Sequence, residues 1–370
     1  MANCLRGRAG NSLLGMAEMH GRRRAALRRL LAERELDTLL VTNLLNVRYL
    51  TGFTGSNAAL LVTRDDAVFC TDGRYDTSSA SQVPDLERVI ERDCGLALAA
   101  RATGRIGFES DHVTVDGLAD LSEAARAELV RAPGLVAELR VIKDETEIEA
   151  LRMACAAADR ALAALIEHGG LRPGRTEREV ARALDDGLRD QGATGPAFAT
   201  IVAAGEHSAI PHHEPTDAAL KAGDLVKMDF GALVDGYHSD MTRTVVLGRA
   251  ADWQTEMYEL VAAAQAAGRA ALRPGTPLAG VDDAARSVIA AAGRAEQFPH
   301  GVGHGVGLEI HEAPALNKAG TGTLAAGMAV TVEPGVYVPG QGGVRIEDTL
   351  IVREGAPELL TLTTKELVVV

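Results

Sequence analysis

No two cysteines stand at metal-site or redox spacing in this 370-residue chain; Cys4, Cys70, Cys94 and Cys155 are scattered. That leaves no thiolate metal site and no disulfide frame, and it suits reduced thiols in a cytosol. Nowhere does an apolar run reach the roughly 20 residues a membrane span needs, and residues 1–20 hold none of signal-peptide length. A cytoplasmic location without membrane association is expected. Positive charge is also in short supply: 38 Lys and Arg against 51 Asp and Glu give a net charge of -13. Phosphate binding relies on clustered Lys and Arg, so the balance argues against a nucleic-acid partner. The most basic stretch, Arg22-Arg23-Arg24 with Arg28 and Arg29, lies on a helix whose other face carries Leu27, Leu30 and Leu31, and it reads as a solvated face.

What is present is enough for two domains. At 46% apolar and 24% charged, the chain can bury two sizeable cores. After a tail over 1–20, residues 21–142 alternate short apolar runs (39–42, 58–63, 67–71, 105–108) with helical stretches such as 115–131, the pattern of a small α/β domain. Its polar, aromatic and Gly-rich segment 46–56 could line a cleft or simply turn the chain. At Asp144 a new helix begins with Glu147 at the capping-box position, and Ile148, Leu151, Cys155, Ala158, Leu162 and Leu165 follow at helical spacing until Gly169-Gly170. The boundary is therefore expected around 138–143, with a second domain over 143–370. That domain repeats itself: a helix, Leu171-Arg172-Pro173-Gly174, a helix, a His-bearing segment and strands with Asp229 and Asp240 are followed by a helix, Leu272-Arg273-Pro274-Gly275, a helix, a His-bearing segment and strands with Glu333 and Glu347. Two such halves predict a curved antiparallel sheet with helices outside and ligands converging in the cleft between them.

Five residues carry the chemistry. Asp229, Asp240, His304, Glu333 and Glu347 stand in apolar or Gly-rich stretches, where an ionised group must be paired, protonated or metal-bound. Four carboxylates brought together would repel severely without cations. If Asp235 and Gly236 are the central residues of a tight hairpin, Gly231 faces Asp240 and Asp229 lies two residues along on the same face. His304 lies among alternating glycines that do not match a dinucleotide loop but would let backbone and metal approach closely. Glu333 ends an apolar strand at Pro334-Gly335, and in the next strand Arg345 and Glu347 share a face while Asp348 points away. Four carboxylates and one imidazole without thiolate favour Mn²⁺, Co²⁺, Fe²⁺ or Zn²⁺, with Mn²⁺ or Co²⁺ expected first. Their charge balances two dications, which would acidify a bridging water and grip a carbonyl oxygen.

These motifs resemble the pita-bread metallopeptidases, and within them the Xaa-Pro peptidases, aminopeptidase P and prolidase. The likeness rests on Met228-Asp229-Phe230-Gly231, Ser239-Asp240-Met241-Thr242-Arg243-Thr244, Gly303-His304-Gly305, His311-Glu312, Val332-Glu333-Pro334-Gly335 and Val344-Arg345-Ile346-Glu347-Asp348. It extends to Tyr49-Leu50-Thr51-Gly52-Phe53 and Asp72-Gly73-Arg74-Tyr75, which are similar to that family's creatinase/prolidase-like N-terminal domain. The resemblance implies an α/β N-terminal domain followed by an α+β pita-bread catalytic domain with a pseudo-twofold repeat. It makes Asp229 a ligand of one metal, His304 and Glu333 ligands of the other, and Asp240 and Glu347 the bridges. Glu333 would also serve as proton acceptor and donor. His212, in Ile210-Pro211-His212-His213, and His311 match substrate-side histidines, with the choice between His212 and His213 open; Tyr337 and Arg345 match positions lining the same pocket. The implied reaction is hydrolysis of the bond before a proline in the second position of a peptide, by a homodimer. Rivals are a prolidase restricted to dipeptides, a creatinase-like hydrolase or related lyase, and a metal-free binding module of the same fold.

Overall fold

The computed structural model describes the backbone of residues 2–370 and the side chains of residue 15 and of 17–370. The chain divides into two compact units between Arg140 and Val141.

The first unit opens with a helix over Ala2–Glu33, so the stretch read as a tail is helical from Ala2 on; Met1 lies outside the described residues. Leu27 and Leu31 are buried on this helix, and the basic cluster is a solvated face only in part: Arg22 and Arg29 are exposed, the other three are not. Arg23 and Arg24 are buried and donate to the Tyr49 and Leu50 carbonyls at 3.0 and 2.8 Å, while Arg28 donates to the Thr63 carbonyl at 3.1 Å. Those first two carbonyls belong to the last turn of the helix Leu44–Thr51, where carbonyls lack intrahelical partners and attract cations. The segment 46–56 thus begins as helix, capped by the Asn43 side chain and ended by Gly52 at φ 79°, and then turns the chain.

Behind it stands a six-stranded mixed sheet. Its strands are β1 (Thr38–Val41), β2 (Ala58–Thr63), β3 (Ala67–Thr71), β4 (Glu87–Ile90), β5 (Arg105–Phe108) and β6 (Glu128–Arg131). The order is β4-β3-β2-β1-β5-β6, with β1–β5, β3–β4 and β5–β6 parallel. The central strand β1 is buried throughout, as its uninterrupted apolar run requires. The edge strands β4 and β6 escape a reading by apolar runs because they are half-exposed. The helix expected over 115–131 stops at Ala124, where Ala125 turns to ψ 138°, and β6 takes its end.

In the second unit local signals agree with the elements they mark. The helix Glu145–Glu167 carries a complete capping box from Asp144 and Glu147, and Glu177–Asp190 one from Thr176 and Glu179. Strand ladders here are antiparallel: Met241–Val246, Leu225–Phe230 and Ile201–Ala204 form one half-sheet, and Asp348–Ile351, Ala329–Val332 and Gly303–Gly305 lie in the same order in the other. Both Leu-Arg-Pro-Gly turns close alike, with Gly174 N–H donating to Leu220 O at 2.9 Å and Gly275 N–H to Leu324 O at 2.8 Å. The halves meet along a seam that threonine hydroxyls bridge in both directions: Thr244 Oγ1 donates to Arg345 O at 3.0 Å, and Thr349 Oγ1 to Asp240 O at 2.8 Å. Helices cover one face of this sheet: Ala154, Ala158 and Leu162 belong to one apolar core with Val226, Met228 and Phe230. The alternation of Leu225–Phe230 therefore turns Lys227 and Asp229 to the opposite face. Among the described residues no helix is long and apolar enough to cross a membrane.

Candidate metal centre

The hairpin that presents the two aspartates follows from its turn. Asp235 and Gly236 both adopt positive φ, 48° and 77°, the pair that a two-residue type I′ turn demands. The register this imposes pairs Val234 with Tyr237 and, beyond it, Phe230 with Met241 and Asp229 with Thr242. Gly231 consequently stands opposite Asp240. In the other half Gly303 and Gly305 flank His304, and a Cβ at either would lie 2.1 Å from a carbonyl oxygen, of Thr331 and Ala313 respectively. These glycines thus serve close approach of neighbouring strands.

Asp229, Asp240, His304, Glu333 and Glu347 line one cavity of about 230 Å³, together with His212 and His311. Phe198, Ile201 and Ile310 supply apolar wall. A larger cavity of about 670 Å³, beside Arg286 and Lys318, contains none of these acids. His304 Nε2 lies 3.4 Å from Asp240 Oδ2 and 3.5 Å from Glu333 Oε1, while its Nδ1 faces the Gly305 carbonyl at 3.0 Å. A proton on Nδ1 for that carbonyl leaves Nε2 as the ligand atom toward the carboxylates. Asp240, His304 and Glu347 each offer an atom, all within 4.8 Å of one another. Thr242 Oγ1 donates to Glu347 Oε2 at 2.7 Å, and Arg345 donates to Asp229 Oδ2 at 2.5 Å.

The remaining oxygens show what is missing. Asp229 Oδ1 and Glu347 Oε1 are buried and accept no hydrogen bond from the protein. Orphaned carboxylate oxygens are among the costliest groups to bury, and two of them aimed into one acidic cavity fit a cation site. Electrostatics agree. Burial, with neighbouring carboxylates adding to it, pushes Asp240 up to about 6, Glu333 up to about 7 and Glu347 well above the carboxylate range. Burial alone would discharge His304, yet Asp240 and Glu333 overcome it and hold the imidazole up to about 9. Without a metal, then, protons occupy these sites; an oxygen-rich donor set with one imidazole suits hard or borderline divalent ions.

Not every expected site residue reaches the cavity. Tyr337 and Arg345, expected as substrate binders, are buried behind it, at 5% and 1% exposure. Arg345 is drawn inward because its fork meets Asp229 Oδ2, Tyr337 Oη at 2.9 Å, Thr242 Oγ1 at 3.0 Å and the Pro211 carbonyl at 3.2 Å. Of the two adjacent histidines, His212 lines the cavity and His213 is buried against Glu177, with Nε2 and Oε2 2.8 Å apart. Asp348 points away from the cavity to Arg243, at 2.8 Å. Sequence reasoning gave no role to Thr242, Phe198, Ile201 or Ile310. Ile201 enters only through its strand pairing with Asp229, a contact without a local signal.

Comparison with known proteins agrees with this geometry. Residues 149–354 match the model of metallopeptidase family M24, and residues 23–142 that of the creatinase/prolidase N-terminal domain. An uncharacterized peptidase of Bacillus subtilis is 40% identical over 350 residues, spanning 93% of this chain and 98% of that protein. The structure of an Xaa-Pro dipeptidase from Bacillus anthracis superposes with a TM-score of 0.91 at 38% identity, over 95% of this chain and all (100%) of that one. That of an X-Pro aminopeptidase from Thermotoga maritima gives 0.84 at 32% identity, over 93% and 98%. With five metal-type donors around one cavity and both family models matched in order, the chain belongs to metallopeptidase family M24, in its branch with a creatinase/prolidase-type N-terminal domain.

Proposed function

We propose that the protein hydrolyses the bond between an N-terminal residue and a following proline, releasing the first residue from peptides in the manner of aminopeptidase P. The carrying observation is the convergence of Asp229, Asp240, His304, Glu333 and Glu347 on one cavity that His212 and His311 also line. We read residues 143–370 as the catalytic domain and 21–142 as the N-terminal domain. Asp229 would hold one divalent ion, His304 and Glu333 a second, and Asp240 and Glu347 both. Two such ions, Mn²⁺ or Co²⁺ before Zn²⁺ or Fe²⁺, would supply an acidified water and Lewis acidity toward the scissile carbonyl.

The chain's own groups do the rest. Glu333, partly open to the cavity at 18% exposure, takes the proton of the attacking water and passes it to the departing proline nitrogen. His212 and His311 steady the carbonyl and the oxyanion that develops on it. Burial, and then the charges of His304 and His212, push His311 below the usual histidine range, so it serves near neutral pH as a neutral donor. Arg345, with Tyr337 behind it, orients Asp229. Reduced, buried Cys70, Cys94 and Cys155 support a cytoplasmic location; support for a homodimer is the family resemblance.

A second reading, an Xaa-Pro dipeptidase, is favoured by the likeness to the Bacillus anthracis structure. Rates on Ala-Pro and Ala-Pro-Ala with the metal-loaded protein decide between them. Cleavage of the tripeptide supports the aminopeptidase reading, and cleavage of the dipeptide alone overturns it.

A further inference from the structure

His212 is carried by a segment, 205–216, that no sheet ladder holds. Its position beside the acids must come from elsewhere, and two fully buried ionisable side chains, Lys227 and Glu177, each at 0% exposure, hold it at different points along its length. Lys227 projects from the same strand face as Asp229. Its Nζ lies within hydrogen-bond distance of the carbonyls of Ser208 at 3.1 Å, Ile210 at 2.5 Å and Pro211 at 3.2 Å, just before His212, although burial, and then the charge of Arg345, push the amine down to about 6.

Glu177, in the first turn of its helix, takes the two ends. Oε1 accepts from the Ala204 N–H at 2.8 Å and faces His207 Nδ1 at 2.9 Å; Oε2 faces His213 Nε2 at 2.8 Å and accepts from Thr216 N–H and Oγ1 at 3.0 and 2.7 Å. Glu177, His207 and His213 have the residue types of a metal site, with ligand atoms within 4.8 Å of one another. Five partners around one carboxylate nevertheless leave no orphaned oxygen for an ion, in contrast to Asp229 and Glu347. The cluster is an anchor. It engages His213 and so leaves its neighbour His212 to face the cavity.

We propose that Lys227 and Glu177 are positioning residues that clamp the 205–216 segment, Lys227 at its middle and Glu177 at its two ends, and thereby aim His212 at the substrate. This rests on the reading of His212 as a substrate-side group. A mispositioning of about 1 Å can cost on the order of 100-fold in rate, so the clamp acts on turnover while leaving the metal donors intact.

The test is a double-mutant cycle of Lys227→Met and His212→Ala in the full-length, metal-loaded protein. Readouts are kcat, KM, metal content and amide exchange across 205–216. The expected result is a kcat loss of about 10- to 100-fold for each single variant and little further loss when they are combined, because both act through one side chain. Metal content stays at the wild-type level, and the 205–216 amides of Lys227→Met exchange faster. If Lys227→Met folds poorly, Glu177→Gln, which keeps the side-chain volume, takes its place in the cycle with the same expectations. Where His212→Ala lowers kcat, equal Lys227→Met losses in both backgrounds overturn the clamp, and unchanged exchange over 205–216 overturns it in every case. Unchanged kcat in His212→Ala overturns the reading of His212 itself, and faster exchange in Lys227→Met then still supports the clamp as the holder of the segment.

Discussion

Two sets of buried carboxylates in the same unit are built in opposite ways. Glu177 is surrounded by five donors, and although burial opposes ionisation, those hydrogen bonds, led by Thr216 and His213, bring it down to about 2. Glu347 keeps one oxygen without a partner, and burial together with Asp240, Glu333 and Asp229 drives it far upward. Both are acids in a protein interior, yet one is complete as folded and the other is short of a positive charge. Counting donors around a buried acid therefore separates an anchor from a ligand more sharply than residue type or burial does.

The largest expected effect is on the unsatisfied set. Exhaustive chelation should abolish Xaa-Pro hydrolysis, a loss of more than about 1000-fold, with recovery on adding Mn²⁺ or Co²⁺. Full activity without metal would end the contrast between the two sets. Glu333→Gln should lower kcat by about 100- to 10,000-fold while metal content measured by elemental analysis persists, since a proton carrier is lost and a ligand oxygen kept.

Metal affinity comes next. His304 is held protonated up to about 9 and Glu333 up to about 7 in the metal-free protein. Both groups must lose their protons to bind an ion, so affinity falls as pH drops through those values. Between pH 9 and pH 7 the displaced His304 proton alone should weaken binding by about 50-fold, measurable by calorimetric titration. A flat profile would mean that His304 is not displaced.

Smaller effects concern stability and have opposite signs. Glu177→Gln should destabilise the protein by about 1–3 kcal/mol with or without metal, because a buried acceptor of five bonds is impaired. Glu347→Gln should stabilise the metal-free protein near pH 8 by about 1 kcal/mol, because it removes the strain of charging a buried acid. The sign follows from linkage: a carboxylate raised in the folded state contributes stability below its unfolded value and loses it as pH rises through its folded one. Thermal melts of both variants, chelated and loaded, would read these signs directly.

Much of the centre was legible because its cues are local. The Asp235-Gly236 turn sets the register of the aspartates, both capping boxes formed as spelled, and alternation along Leu225–Phe230 tells which side chains face inward. Arg23 and Arg24 misled the solvated-face reading, since a guanidinium is as easily held by the carbonyls ending another helix as by water. Tyr337 and Arg345 stand on the strands Gly335–Val338 and Gly342–Arg345, close in sequence to Glu333 and Glu347, without sharing the cavity. The edge strands β4 and β6 lack the apolar run that marks a covered strand.

By itself the sequence determined which donors exist, on which strand faces they stand, and that the second unit repeats one motif, since residue type and short-range periodicity travel with the chain. Only the tertiary structure decided that His212 rather than His213 faces the acids, for the anchor of His213 is 36 residues away in sequence. It also decided which carboxylate oxygens are left wanting. Both choices are counts of neighbours in space, and such counts exist only once distant segments have packed.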